Sequence, residues 1–266
     1  VVRRRPWCDP GVMTAVPGAE ALACGHAARL AGRFAAAARH YALALRQAES
    51  PLEEADALCG LGMCERGLCR YRPALALFDR ALVVYRRRRD EVGRAFALYA
   101  RGGARRFLGD LRGARRDLAA ALALAPDVEA KIFTRMALGG LARMAGRLEE
   151  SLEQYRRARS LAGRQRLSYA MAYADCGIGN AFRLLGERPR ARRHLAAADA
   201  RYRSIGDRVS RPYTLFALLM MDLEEGRRGE SAEMTRLFRA TGDARGLVYA
   251  GLARAVALRV RGRSTA

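Results

Sequence analysis

Lysine is almost absent from this sequence: Lys131 is the only one, and arginine supplies nearly all of the 49 basic residues. Against 27 acidic residues this gives a formal net charge of +22 and an isoelectric point of about 11.1. Such an excess is typical of proteins that meet polyanions. Arginine in place of lysine, together with abundant alanine, also follows from GC-rich codon usage, so the charge alone does not establish nucleic-acid binding.

The sequence also lacks a long apolar run and the cysteine patterns of metal sites. No stretch of eighteen apolar residues occurs, so no membrane span is expected. The six cysteines form no CxxC pair and no cluster with histidine, which predicts neither a metal site nor a cofactor. Cys59, Cys64 and Cys69 are five residues apart, and this spacing scatters them around a helix. We expect buried thiols in a reducing, bacterial-type cytoplasm.

Motifs for catalysis are missing as well. The sequence contains no GxSxG, HExxH or GxxxxGK[ST] segment, and Lys131 follows "PDVEA", which lacks the glycines of a phosphate loop. The three histidines, His26, His40 and His194, lie far apart along the chain. The sequence therefore predicts a protein that is not an enzyme.

What the sequence does contain is an internal repeat. Segments such as "ARRFLGDLRGARRDLAAAL" and "LARMAGRLEESLEQYRRA" align on a turn residue that is followed by small, large and small residues at fixed offsets. Seven turn positions are predicted, spaced 36 to 40 residues apart: Gly32, Cys69, Gly109, Gly146, Gly186, Gly226 and Gly262. A period of this length is typical of helical repeat arrays.

Two sets of columns carry a family resemblance. First helices contain the pairs Leu61-Gly62, Leu138-Gly139 and Ile178-Gly179, with Gly25 and Gly102 in the same glycine column. Second helices contain a small-x3-large-x2-small pattern: Ala37, Tyr41, Ala44; Ala74, Phe78, Ala81; Ala114, Leu118, Ala121; Ser151, Tyr155, Ala158; and Ala191, Leu195, Ala198. In these columns the chain resembles the tetratricopeptide repeat (TPR) family over about residues 18 to 262.

The resemblance implies an all-α fold, a right-handed α-solenoid of tandem helix-turn-helix hairpins. Residues 1–17 are expected to form a disordered basic tail. Residues 18–266 are expected to form the TPR array, with about six repeats and a terminal capping helix. Two departures from the family are clear: its tryptophan and tyrosine columns are mostly lost, and the sixth repeat, around "MMDLEEGRRGESAEMTRLF", is degenerate.

Helix boundaries have their own signals. "SPLEEAD" predicts Ser50 as an N-cap, Pro51 at the first helical position and Glu53 as capping-box partner. Two glycines are predicted to end helices, each followed by an aspartate as the next N-cap: Gly206 with Asp207, and Gly242 with Asp243.

The run Arg86 to Arg89 falls, in this register, at the C-terminal turn of a second helix, immediately before the candidate N-cap Asp90. Cations are favoured there by the helix dipole, by roughly 0.3–1 kcal/mol each. Binding of a polyanion is the other interpretation of the same four arginines.

Candidate binding residues follow from the resemblance, because first helices line the concave face of a TPR array and positions two, five, nine and twelve of each repeat share one stripe. Position twelve is arginine in six units: Arg29, Arg66, Arg106, Arg143, Arg183 and Arg259. Aromatic residues occupy position two (Phe96, Phe133, Tyr173, Tyr213, Tyr249) and position five (Tyr99, Phe216). Asn180 is the one asparagine at position nine.

This arginine ladder beside an aromatic strip suits a protein segment with acidic residues and apolar anchors, since arginine binds carboxylates bidentately. Repeat ancestry and the helix dipole would equally keep arginine at position twelve, and the aromatic side chains could pack between repeats. No position five is basic, so the carboxylate clamp for chaperone tails is not expected.

The sequence thus predicts a cytoplasmic, non-catalytic protein-protein interaction scaffold or regulatory adaptor that binds a partner segment in its concave groove. The partner is expected to be acidic or amphipathic, and no membrane partner is expected. Two alternatives remain: a nonspecific nucleic-acid or polyanion binder, and the sensor part of a larger signalling ATPase, where similar long repeats occur.

Overall fold

The computed structural model describes residues 17–227, 229 and 231–263. Within them the chain forms thirteen α-helices and no strand. In chain order these are α1 (Pro17–Leu30), α2 (Phe34–Arg46), α3 (Pro51–Gly67), α4 (Tyr71–Arg87), α5 (Glu91–Phe107), α6 (Leu111–Ala123), α7 (Val128–Met144), α8 (Leu148–Arg164), α9 (Ser168–Leu184), α10 (Arg188–Ser204), α11 (Arg211–Glu224), α12 (Ala232–Thr241) and α13 (Ala244–Arg263).

The helices pair in the order of the predicted repeats, odd-numbered first helices with the even-numbered second helices that follow, and α13 comes last. The array divides into two compact units within α7: unit 1 ends at Leu141 and unit 2 begins at Ala142. In each unit, first helices contact one another directly, as α1 with α3 and α11 with α13, whereas second helices pack chiefly on the first helices beside them. The first helices are therefore the more closely spaced layer.

Tight turns separate the two helices of a hairpin. Six of the seven predicted turn residues have a left-handed backbone, with φ between 63° and 83°: Gly32, Cys69, Gly109, Gly146, Gly186 and Gly226. The prediction for Gly262 is wrong, because that residue lies inside α13. Of the predicted tail, residues 1–16 lie outside the described residues, and Pro17 is the first residue of α1.

The predicted N-caps at Ser50 and Asp243 are confirmed, and the one at Asp207 is wrong. Ser50 Oγ accepts from the Glu53 amide at 3.3 Å, although Glu53 itself accepts from the Glu49 amide and not from that of Ser50. Asp243 accepts from the Gly246 amide at 2.9 Å and caps α13. Asp207 was predicted as an N-cap but does not cap a helix. Its side chain accepts from the amides of residues 210 and 211 across a short turn, and α11 begins only at Arg211.

The core of each hairpin is formed by the columns that carry the resemblance. Phe78 of α4 is fully buried against Gly62 of α3, and Leu118 of α6 lies in the same way against Gly102 of α5. A Cβ atom at Gly62 would lie 2.6 Å from the Phe78 ring, so the glycine column sets how closely the two helices approach. Burial of one such large side chain stabilises the fold by roughly 1.5–3 kcal/mol.

The run of four arginines lies where the register predicts. Arg86 and Arg87 form the last turn of α4, Arg88 follows as C-cap, and all four side chains are exposed. Arg89 has a left-handed backbone (φ 51°), and Asp90 caps α5 by accepting from the Gly93 amide at 3.2 Å.

Candidate binding surface

The position-twelve arginines all lie towards the C-terminal ends of first helices. Five of them are half-buried (Arg29, Arg66, Arg106, Arg143 and Arg183), whereas Arg259 of α13 is exposed. In the sixth repeat the same position is occupied by Leu223, which is buried. The ladder is therefore interrupted before α13.

In unit 1 each ladder arginine reaches towards the next first helix. The Arg66 guanidinium lies 5.7 Å from the centre of the Tyr99 ring, and a Cβ at Gly103 would lie 2.6 Å from its Nη1 atom. Arg106 donates to the carbonyl oxygen of Ala137 in α7 at 3.4 Å. These arginines thus connect consecutive first helices as well as presenting charge.

Arg29 occupies the same position in α1, close to a buried hydroxyl and a buried thiol. Burial raises the pKa of Tyr41 to about 12, and nearby Arg29 acts in the opposite direction. Burial likewise raises the pKa of the Cys64 thiol to about 12, again opposed by Arg29. Tyr41 and Cys64 therefore stay neutral below pH 9.

In unit 2 a ladder arginine again lies near a buried thiol. Burial raises the pKa of the Cys176 thiol in α9, and Arg143 of α7 partly offsets that rise. Arg183 Nη1 lies 3.6 Å from Glu224 at the end of α11. The Nε atoms of Arg106, Arg143 and Arg183 are buried and make no hydrogen bond to any described residue. Each guanidinium has further N–H donors, on its two Nη atoms, besides these Nε groups.

The predicted aromatic residues of unit 1 differ in exposure. Phe96 is only 6% exposed and belongs to the hydrophobic core. Tyr99 and Phe133 are half-buried and pack against that core from its edge. Of the predicted aromatic residues, Tyr99 lies beneath Arg66, whereas the ring beside Arg106 belongs to Phe107, 4.6 Å from the guanidinium and not among the predicted residues.

In unit 2 the aromatic residues form two clusters. Tyr173 packs beside Tyr169, with ring centres 6.2 Å apart, against the buried Tyr202. Phe216 of α11 stacks on Tyr249 of α13 at 4.9 Å. Tyr213 lies edge-on to Tyr249, and its hydroxyl donates to Asp243 while accepting from Arg245.

Asn180 uses its amide locally: Nδ2 donates to the Cys176 carbonyl oxygen of its own helix at 3.0 Å. This back-bond leaves the amide oxygen as the group that an external donor could reach.

An ionic network in unit 2 was missed by sequence reasoning. Asp175, with no exposed surface, accepts from Arg159 at 2.7 Å and Arg201 at 2.9 Å, and lies 2.9 Å from His194 Nδ1. A charged residue within the apolar first-helix segment "YADCGIG" was the signal available. In unit 1 the buried Asp117 is held similarly by Arg101 and Arg105.

Among the described residues, no group of three or more histidine, cysteine, aspartate or glutamate side chains is arranged to hold a metal ion. No helix of the described part of the chain is long and apolar enough to span a membrane.

Comparison with known proteins gave matches at the level of structure. No family model and no curated protein matches the sequence. A Rap protein in complex with Competence and Sporulation Factor is similar over 95% of this chain and 77% of its own, with a TM-score of 0.78 and 14% identity. The Rap conjugation gene regulator of plasmid pLS20, in complex with the Phr* peptide, matches over 91% of this chain and 75% of its own, with a TM-score of 0.69 and 15% identity.

Another similar structure is the APC/C hetero-tetramer Cut9–Hcn1. It has a TM-score of 0.65 and 15% identity, over 91% of this chain and 42% of the other. The chain has the tetratricopeptide repeat fold. The predicted all-α solenoid of TPR hairpins is thereby confirmed. Sequence identities of this size establish the fold alone, and function has to be argued from the TPR surface itself.

Proposed function

We propose that this TPR protein is a non-catalytic interaction scaffold whose first-helix layer binds a peptide segment of a partner, with the ladder arginines as anion-binding groups. The observation that carries this proposal is the repeated geometry of Arg106, Arg143 and Arg183. Each is half-buried, and each extends from the C-terminal part of a first helix. A carboxylate of a bound segment would accept from the part of each guanidinium that remains accessible.

Apolar anchoring is supplied by aromatic side chains of the first helices. Tyr99 lies under Arg66 in unit 1, and the Phe216–Tyr249 stack is half-buried in unit 2. A segment that alternates acidic and apolar side chains matches both features. Two similar structures contain a bound peptide or factor, named as the Phr* peptide and Competence and Sporulation Factor, which supports peptide binding as the use of this fold here.

A second candidate, binding of polyanions, is favoured by one observation: the arginines from Arg86 to Arg89 are all exposed on a chain of net charge +22. In that case the affinity for the polyanion depends on the number of positive charges and falls steeply with salt. For binding of a peptide in the groove, the affinity depends instead on which arginines are present.

The experiment separates these outcomes with matched charge changes. Peptides of twelve residues are selected from a random display library on the wild-type protein at about 150 mM salt, where long-range charge effects are screened beyond ~8 Å. Binding of the selected peptides is then measured on three double variants: Arg66→Gln with Arg106→Gln, Arg143→Gln with Arg183→Gln, and Arg86→Gln with Arg87→Gln. Each double variant removes two charges.

We expect loss of binding in one ladder pair and little change in the Arg86 and Arg87 pair. Equal weakening in all three, together with displacement of the peptide by double-stranded DNA, would show that charge and not the groove is recognised. Circular dichroism melts of each variant control for unfolding, because the ladder arginines also contact neighbouring helices.

A further inference from the structure

The last turn of α11 carries the opposite charge to that of five earlier first helices. In α1, α3, α5, α7 and α9 the last turn contains arginine. In α11 it contains no basic residue, and Asp222, Glu224 and Glu225 lie in it or directly after it. Carboxylates are disfavoured by the dipole at the C-terminal end of a helix. Their presence there therefore depends on positive charge supplied by other helices.

For Glu224 that charge comes from two arginines. Its Oε1 atom lies 3.6 Å from Nη1 of the ladder residue Arg183, and its Oε2 atom lies 3.5 Å from Nη2 of Arg188 at the start of α10. The side chains of Arg183 and Glu224 are only 22% and 36% exposed, so salt screens their interaction less than that of a fully exposed pair. Glu224 thus places beside Arg183 the same group, a carboxylate, that an acidic partner segment would bring.

The contact between Glu224 and Arg183 can be exchanged. Strong charge-assisted hydrogen bonds between arginine and a carboxylate measure about 2.7–2.9 Å, and both contacts of Glu224 are longer. A carboxylate that approached Arg183 at hydrogen-bonding distance would therefore interact with it more strongly than Glu224 does. Glu224 would still keep Arg188, whose side chain is 46% exposed, as its partner. Exchange at Arg183 thus leaves no carboxylate unpaired.

We propose that Glu224 masks Arg183 and acts as an internal competitor for the acidic side chain of a partner segment. This inference rests on the proposed function of the ladder surface and adds a residue that sets its affinity. An acidic segment binds at Arg183 only by displacing Glu224. Arg143, one repeat earlier, lies instead near the thiol of Cys176, whose pKa is raised by burial. The thiol is neutral, so Arg143 binds an acidic side chain without this competition.

The chain offers a matched control for Glu224. Glu225 is the next residue, has the same charge and pairs with Arg192 at 3.2 Å. Glu224→Gln and Glu225→Gln each remove one negative charge from the end of α11, but only Glu224→Gln frees Arg183. Both changes remove a carboxylate from a position that the helix dipole disfavours, so both variants are expected to fold. Circular dichroism melts check this expectation.

The first measurement needs no partner. Phenylglyoxal reacts with accessible guanidinium groups, and mass spectrometry of chymotryptic peptides gives the rate of modification at each arginine. We expect Arg183 to react about threefold faster in Glu224→Gln than in wild type or Glu225→Gln, a factor typical of one partly exposed ion pair. Arg143 should react at one rate in all three proteins. Equal rates at Arg183 in wild type and Glu224→Gln would overturn the proposal.

The second measurement tests the effect on binding. Twelve-residue peptides are selected from the display library on the Glu224→Gln variant, and their affinities are measured by fluorescence anisotropy at about 150 mM salt. We expect these peptides to bind Glu224→Gln about threefold more tightly than wild type or Glu225→Gln. The gain should vanish when Arg183→Gln is added to both members of the comparison, because this double-mutant cycle isolates the pair.

Failure of this inference differs from failure of the proposed function. If Arg143→Gln weakens binding but Glu224→Gln brings no gain, or brings the same gain when Arg183 is replaced, masking is wrong and the ladder remains the binding surface. If neither Arg143→Gln nor Arg183→Gln changes binding in the Glu224→Gln background, the proposed function is wrong. Masking is then overturned as a control of binding as well.

Discussion

His194 Nδ1 lies 2.9 Å from Asp175 Oδ1, a carboxylate with no exposed surface. Arg159 comes from the preceding hairpin, and Arg201 and His194 come from α10, so one carboxylate connects three helices. In unit 2 a polar network thus connects α9 to α8 and to α10.

Asp175→Asn is expected to destabilise the protein strongly. The change replaces charge-assisted hydrogen bonds to Arg159 and Arg201, whose side chains are 40% and 32% exposed, and should cost about 1.5–3 kcal/mol. Urea unfolding followed by circular dichroism measures the change. Asp79→Asn is the matched control, because Asp79 also binds an arginine, Arg101, but its side chain is 55% exposed. There the loss should stay below about 1 kcal/mol, and equal losses at the two sites would contradict the interpretation.

A second prediction concerns the glycine column. An alanine Cβ at Gly179 would lie 2.7 Å from Leu195 Cγ and 3.1 Å from the Ala191 carbonyl oxygen. Gly179→Ala should therefore destabilise unit 2 by about 1–3 kcal/mol through overpacking. At Gly163 an added Cβ meets no described atom within 4 Å. Gly163→Ala should raise stability by about 0.5–1 kcal/mol through helix propensity alone. The two melting temperatures should move in opposite directions.

The glycine column shows how much of the fold can be predicted from the sequence. Residues at fixed offsets from a turn predict which side chains share a face, and the buried Phe78, Leu118 and Leu195 lie where that periodicity places them. Periodicity alone does not fix every turn: Gly262 has the spacing of a turn residue but lies within α13, which extends to Arg263.

The candidate site was less predictable for a related reason. A column of arginines shows that the side chains lie on one stripe, but contacts depend on how far each helix is from the next. The structure places Arg66 over Tyr99 and Arg106 at the Ala137 carbonyl, contacts about thirty residues distant in sequence. Phe96 and Tyr99 likewise look equivalent in sequence, yet only the packing of α5 decides that Phe96 is core.

The third prediction is a loss of stability at high pH. Burial raises the pKa of Tyr41 from 10.0 to about 12, so the folded protein keeps this proton after the unfolded chain has lost it. Stability from this group is complete below pH 10 and declines as pH rises towards 12. At pH 11 the loss is about 1 kcal/mol. Urea midpoints between pH 9 and 11 should decline less steeply for Tyr41→Phe than for wild type, and parallel slopes would contradict the assignment.

The last prediction tests Cys69, which takes the place of glycine in the turn between the two helices of a hairpin, α3 and α4. Cys69 has φ 63°, a left-handed conformation that glycine adopts without strain and that costs other residues roughly 1 kcal/mol. The other described hairpin turns have glycine at this place, as at Gly109 with φ 83°. Cys69→Gly should therefore raise the melting temperature, and the reverse change, Gly109→Cys, should lower it by a similar amount. At Gly109 the added Cβ would meet no described atom within 4 Å, so a steric clash does not contribute to the expected loss of stability. If Cys69→Gly instead destabilises the protein, the half-buried thiol contributes packing that outweighs the backbone strain.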